Sequence, residues 1–146
     1  MNNMNQETND NTDMTGMDSA GLKGVVRLSL RLKAVADFVK PGSRIADIGT
    51  DHGYVPIYLA QIGRAAGAIA MDVRQGPLER AKEHIREYEG WAIQHAGNSR
   101  QQAPCAIEAR LSDGLKELRP GEADTVIMAG MGGELEIRIL EQGRHM

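Results

Sequence analysis

Arg44-Ile45-Ala46-Asp47-Ile48-Gly49-Thr50-Asp51-His52-Gly53-Tyr54-Val55-Pro56 is the stretch on which the fold turns. Its short apolar run, Arg44 to Gly49, reads as a first strand. The run ends in an acid and a glycine, and Tyr54 to Ile62 continues as a helix. A strand that passes through a glycine elbow into a helix opens an α/β unit, with a ligand held beyond the strand's carboxyl end. The elbow also carries Asp51, His52 and Tyr54, more reactive groups than a plain turn needs.

Towards the amino terminus, Leu32, Val35, Ala36 and Val39 fall at i, i+3, i+4 and i+7, one helix face. Ser29 is an N-cap for that helix and Pro41-Gly42 stops it. In the other direction, Ala66 to Met71 is a second apolar run, ended by Asp72. Gly76-Pro77 opens a third helix, because proline suits a first turn. Leu78, Ala81, Ile85 and Tyr88 line its buried side. Glu89 to Pro104 is polar, Gln-rich and longer than a typical connection, which predicts a surface insertion over about 89–105 anchored by Trp91. Ala106 to Leu111 reads as a third strand, followed by Ser112-Asp113-Gly114 and a helical turn from Leu115 to Leu118. Asp124 to Ala129 is a fourth strand of the buried type. Gly130-Met131-Gly132-Gly133 follows it, and Glu134 to Glu141 looks helical.

The rhythm βαβαβαβα predicts an α/β fold, a parallel sheet with crossover helices. Four strands are only part of the usual open sheet, so the last would be an edge.

Bulk properties narrow the class. Met1 to Ala20 is rich in Asn, Thr, Met and Asp without aliphatic periodicity, and reads as a disordered N-terminal tail. It lacks the basic start and apolar run of a signal peptide. No stretch approaches the roughly 18 apolar residues of a membrane span. No membrane association and a cytoplasmic location are expected. The tail holds Glu7, Asp10, Asp13 and Asp18 and no base, so the remainder has 17 bases against 16 acids. Lys23, Arg27, Arg31 and Lys33 form a basic entrance with no acid among them, compatible with nucleic acid. Lys23, Arg27 and Arg31 step by four, the spacing of a phosphate-contacting stripe along a helix, which Gly24 and Ser29 interrupt. The single cysteine, Cys105, permits no disulfide within the chain and makes no zinc site alone, so no metal is expected.

Three strand ends carry ligand-binding groups. Gly49 allows a tight turn and close approach of a ligand. Asp72, 23 residues further on, can accept both hydroxyls of a ribose. Asp113, with Gly114, can accept from an adenine amino group. Together they describe an adenosine pocket. A pyrophosphate cofactor wants Gly-x-Gly-x-x-Gly and a bare helix N-terminus. Here Asp51 would repel it, and would suit instead the positive charge of S-adenosylmethionine. No Gly-x-x-x-x-Gly-Lys-Ser/Thr run for a nucleoside triphosphate is present. Asp47 has a second reading as a cap for the turn, and His52 and Tyr54 have structural readings as a turn histidine and a packed helix-start tyrosine.

These residues also carry a family likeness. Leu28-Ser29-Leu30-Arg31-Leu32, Ala46 to Pro56, Asp113-Gly114-Leu115 and Ala129-Gly130-Met131-Gly132-Gly133 occur in this order. The chain resembles, over about Leu28 to Gly143, the bacterial class I methyltransferases that make N1-methyladenosine at position 22 of tRNA. The resemblance implies a Rossmann-like fold, S-adenosylmethionine as methyl donor and tRNA as partner. It implies that Asp47, Gly49, Asp72, Asp113, Gly114, Ala129 and Gly130 hold the donor. Asp51, His52 and Tyr54 would serve the reaction, and Arg27, Arg31, Met131, Gly132 and Gly133 would meet the substrate. The glycines stand where many amino-methylating enzymes carry Asp/Asn-Pro-Pro-aromatic, which fits a ring-nitrogen acceptor. Family members complete the sheet with more strands and add a helical C-terminal domain. Residues 21–146 therefore read as a partial methyltransferase domain, incomplete at the carboxyl end, with poor stability and weak activity expected. Other readings from sequence are a non-catalytic S-adenosylmethionine-binding remnant and a methyltransferase with another acceptor.

Overall fold

The computed structural model describes residues 17–18, 21–97 and 103–144. Two short strands, β1 (Met17–Asp18) and β2 (Gly21–Leu22), pair antiparallel. The alternating unit follows: α1 (Leu30–Asp37), β3 (Ser43–Ile48), α2 (Tyr54–Gln61), β4 (Ala65–Asp72), α3 (Gln75–His95), β5 (Ile107–Leu111), β6 (Thr125–Met128) and α4 (Gly133–Gln142). The last four strands form one parallel sheet in the order β5-β4-β3-β6. The order reverses at β3, between β4 and β6. That reversal is a topological switch point, where a parallel sheet leaves a crevice at its carboxyl edge.

The two faces of the sheet follow from side-chain alternation. Ile45, Ala68, Ala70 and Ile127 pack on one face with Ala36 from α1, Val39 from the turn that follows it, Ile57 and Leu59 from α2, and Ile85 and Tyr88 from α3. Ala46, Ile48, Ile69 and Met71 pack on the other with Leu115, Leu118 and Ile139. The second face is the thinner one, and α4 leaves Leu135, Ile137 and Leu140 exposed. Among the described residues β6 pairs on one side only. None of their helices is long and apolar enough to cross a membrane.

Helix boundaries obey local chemistry. Ser29 caps α1, its hydroxyl accepting from the Leu32 amide at 3.3 Å. Pro56 and Pro77 sit in the first turns of α2 and α3, where no amide hydrogen bond is lost.

Three expectations need correction or bounding. The insertion expected over 89–105 begins later, because α3 continues to His95. Its buried stripe, Leu78, Ala81, Ile85, Tyr88 and Ala92, keeps the helical period through the polar stretch. Trp91 does anchor it, stacked on Tyr88 and His95. Secondly, Lys23 and Arg27 do not share a helix with Arg31, since residues 23–29 are non-helical. The Val26 amide donates to Gln61 Oε1 at 2.7 Å and Gln61 Nε2 donates to the Gly24 carbonyl, which ties this segment to α2 as an extended arm. Thirdly, the tail expected to be disordered lies outside the described residues, apart from the pairing of Met17–Asp18.

Candidate functional site

Because the strands are parallel, Gly49, Asp72, Asp113 and Gly130 all fall at one edge of the sheet. The elbow after β3 is built from left-handed residues: Gly49 at φ +72°, Asp51 at +54° and Gly53 at +75°. Asp51 is the one non-glycine with positive φ among the described residues. Asp tolerates this conformation better than most residues but still at a cost. Two outside ties hold the elbow to β4. The Thr50 amide donates to the Met71 carbonyl at 2.9 Å, and the Asp51 amide donates to Asp72 Oδ2 at 3.1 Å.

Asp47 and Asp72 are both buried. Asp47 accepts the Thr50 hydroxyl at 2.7 Å, the geometry of the turn-capping alternative. Burial pushes its carboxyl up to about 7, Thr50 acting against this and the nearby Asp72 charge adding to it. Asp72 is engaged on both oxygens. Oδ1 accepts from the Arg74 amide at 2.9 Å, with Arg74 Nε at 3.5 Å, and Oδ2 takes the Asp51 amide.

The positive φ of Gly49 is why this turn needs glycine. A Cβ there would lie 2.6 Å from Met131 Cε. Met131, from the loop after β6, therefore reaches across the switch point to the β3 turn. The crevice is bounded by backbone on one side and the flexible end of a methionine on the other.

Asp51, His52 and Tyr54 lie together on the elbow and acquire a partner that sequence reading missed. His52 Nε2 lies 3.7 Å from Asp51 Oδ2, and Asp51 remains exposed. The rings of His52, Tyr54 and His84 lie nearly parallel, with centroids 5.0–5.7 Å apart. His84 belongs to α3, and its Nδ1 is 2.7 Å from the His52 carbonyl oxygen. Tyr54 is held above its usual phenol range by burial first, then by the charges of Glu87 and Asp51. His52 Nδ1 and Glu87 Oε2 are buried without a hydrogen-bond partner. Thr50 is a second residue the motif reading passed over. Its hydroxyl and amide join Asp47 to β4.

The remaining residues divide. Asp113 is exposed and paired with Lys116 one turn on. Gly114 is buried at φ +61°, and a Cβ there would press on Ile139 of α4 at 3.1 Å. Packing alone therefore accounts for that glycine. Ser112, beside them, is buried and accepts the Glu117 amide while donating to the Gly114 carbonyl. Ala129 lies between β6 and Gly130, and Gly130 turns at φ +80°, where a Cβ would lie 3.8 Å from Arg31 Nη2. Arg31 thus stands at the rim of the β6 end, whereas Arg27 is exposed on the arm before α1. Gly132 and Gly133 would meet nothing within 4 Å if given a Cβ, so their bare backbone faces open space. No group of three or more His, Cys, Asp or Glu among the described residues could hold a metal ion.

Comparison with known proteins places this geometry. A family described as "Methyltransferase domain" matches residues 28–146. The tRNA (adenine(22)-N(1))-methyltransferase of Bacillus subtilis strain 168 is 40% identical over 119 residues, which is 82% of this chain and 44% of that protein. The crystal structure of the B. subtilis M1A22 tRNA methyltransferase TrmK is similar at 38% identity and a TM-score of 0.68, over 82% of this chain and 45% of that one. M. capricolum TrmK in complex with the cofactor product S-adenosyl-homocysteine is similar at 35% identity and a TM-score of 0.64, over 78% and 46%. The chain spans less than half the length of these relatives. A four-stranded parallel sheet with a Gly49 elbow at its switch point, matched over residues 28–146, places the chain in the methyltransferase domain family.

Proposed function

We propose that this chain binds S-adenosylmethionine at the switch point and serves methylation of N1 of an adenine in tRNA, of the position 22 type, in the cytoplasm. The observation that carries the reading is Asp51, an exposed acid held left-handed by a bond from its own amide to buried Asp72. A glycine would sit there at less backbone cost, so the carboxylate has a use that the turn does not explain.

The donor site fits its ligand. Gly49 leaves room at the turn behind a methionine end that can swing aside. Asp72 has a spare lone pair on each oxygen after accepting its backbone amides, which suits ribose hydroxyls. Asp113 and Ala129–Gly130 bound the adenosine end, while buried Asp47 sets the Thr50 side of the elbow and Gly114 seats α4. When bound, S-adenosylmethionine supplies an electrophilic methyl group. The acceptor nitrogen already has a lone pair, so the protein needs no strong base and contributes chiefly position and desolvation. N1 lies on the pairing edge, so the adenine must leave its stack. Asp51 then accepts from the N6 amino group and offsets the charge that grows on the ring. His52 steadies Asp51, Tyr54 lies against the base, and Met131, Gly132 and Gly133 form the opposing wall. Arg31, with Arg27, meets phosphate.

Calorimetry with S-adenosylmethionine and methylation of unmodified tRNA test the reading. We expect binding, and product as N1-methyladenosine that is lost when the acceptor adenine is replaced by guanine. Methylation at another atom would overturn the acceptor. A binding-only reading requires calorimetric binding with no product.

A further inference from the structure

We propose that His84 is a positioning residue for the Gly49–Tyr54 elbow, gripping it from α3 through the His52 carbonyl. Only the kinetic consequence rests on the reaction proposed above. A carbonyl oxygen has no proton to give. The 2.7 Å contact therefore makes Nδ1 the protonated nitrogen of His84 and leaves Nε2 bare in the neutral ring. The bond fixes the peptide that leads from His52 through left-handed Gly53 into the first turn of α2. The same ring lies 5.0 Å from Tyr54 at 12° and 5.7 Å from His52 at 24°. One α3 side chain thus holds the elbow by a directed hydrogen bond and by two flat contacts.

The elbow has need of such a grip. His52 Nδ1 has no partner, and its Nε2 lies 3.7 Å from Asp51, beyond a normal hydrogen bond. The Asp51 side chain is exposed. Inside the elbow, the Gly53 amide to the Thr50 carbonyl at 3.0 Å closes the turn. Ala81, three residues before His84 on α3, approaches Gly53 so closely that a Cβ there would lie 3.3 Å from its methyl. α3 therefore touches the elbow at two successive turns, once by packing and once by His84.

The test separates ring from donor. His84→Phe keeps a flat ring without the donor, and His84→Asn keeps an amide donor near the Nδ1 position without the ring. Amide hydrogen exchange is followed along the whole chain, with S-adenosylmethionine affinity and methyl transfer to tRNA alongside. In His84→Phe, exchange at Asp51 and Gly53 should accelerate about tenfold or more while β3 and β4 amides stay within about twofold. Its S-adenosylmethionine affinity should hold within about threefold while kcat falls about tenfold. His84→Asn should return both exchange and kcat to within about threefold of the parent. Unchanged elbow exchange in His84→Phe overturns the proposal, and so does equal acceleration through the whole sheet. If the parent transfers no methyl group yet the exchange pattern appears, the reaction reading falls and the positioning role stands.

Discussion

The two halves of the sheet's carboxyl edge are built on opposite principles. At β3 and β4 the polar groups are turned inward and tied to one another. Asp47 holds Thr50, Asp72 holds the amides of Asp51 and Arg74, and His84 holds His52. At β5 and β6, Ser112 apart, they are left open. Asp113 meets only Lys116 at the surface, and Gly132 and Gly133 have no protein atoms within reach of a Cβ. Under the proposed function the difference divides labour: one half is organised before any ligand arrives, and the other offers backbone for an incoming group. Substitution of Gly49 or of the buried acids in the tied half should therefore change stability and donor binding together. Those in the open half should change ligand behaviour at little cost to the fold.

Gly49→Val puts the largest strain on that contrast. A β-branched residue at φ +72° is a steric outlier, and its Cβ starts 2.6 Å from Met131. Left-handed strain costs about 1–3 kcal/mol, at the upper end for a β-branched residue, and the flexible Met131 end can swing aside, so a loss of about 2–3 kcal/mol is expected in denaturant unfolding. S-adenosylmethionine binding should vanish in calorimetry. Retained affinity would mean that the donor does not approach this turn.

Asp51→Gly separates the turn from its carboxylate. Relief of the left-handed conformation offsets the extra freedom of glycine in the unfolded chain, so stability should move by less than about 1 kcal/mol. Methyl transfer to tRNA should fall about 100-fold, the usual scale for losing one electrostatic contact to a developing charge. A variant that turns over like the parent removes Asp51 from the reaction.

Asp47 makes the cost of the tied half visible through pH. Its folded carboxyl is raised from 3.8 to about 7, so between those values the folded protein holds a proton that the unfolded chain has released. Stability from this group is fully present below about pH 4 and is lost as pH rises to about 7. Asp47→Asn abolishes that loss. The variant's stability relative to the parent should thus be higher at pH 8 than at pH 4 by about 2–4 kcal/mol. A pH-independent difference between the two would show that Asp47 titrates normally.

How much of this could be read from the chain alone follows the same division. β3, β4 and the elbow are legible because a buried parallel strand is an apolar run and a sharp exit needs glycine. β6, expected to be of the buried type, is buried only at Ile127, because among the described residues it pairs on one side only. Ser29 and the two first-turn prolines mark helix starts by chemistry that acts within four residues. The full length of α3 was hidden by Gln, His and Glu around Trp91, although Tyr88 and Ala92 carried the period onward. Arg27 was misplaced because a four-residue step looks helical, while the tie from Val26 to Gln61 joins residues 35 apart. His84 left no local signal at all: it flanks a buried stripe like any surface residue, and its meaning comes from a carbonyl 32 residues away. Gly114 and Gly132 look alike in sequence, yet one is required by Ile139 and the other meets nothing.

That last pair yields the smallest effect and the sharpest use of the comparison. Gly132 is the N-cap of α4 at φ −73°, a conformation any residue adopts, and a Cβ there meets no heavy atom within 4 Å. Gly132→Ala should therefore cost no more than about 1 kcal/mol, the scale of placing alanine at an N-cap. Gly114→Ala, with positive φ and Ile139 at 3.1 Å, should cost about 1–3 kcal/mol by the same unfolding measurement. If the open backbone at Gly132 receives the adenine, its added methyl should raise the KM for tRNA several-fold while S-adenosylmethionine affinity holds. An unchanged KM would move the acceptor wall away from this turn and leave Gly132 as a tolerant helix entry.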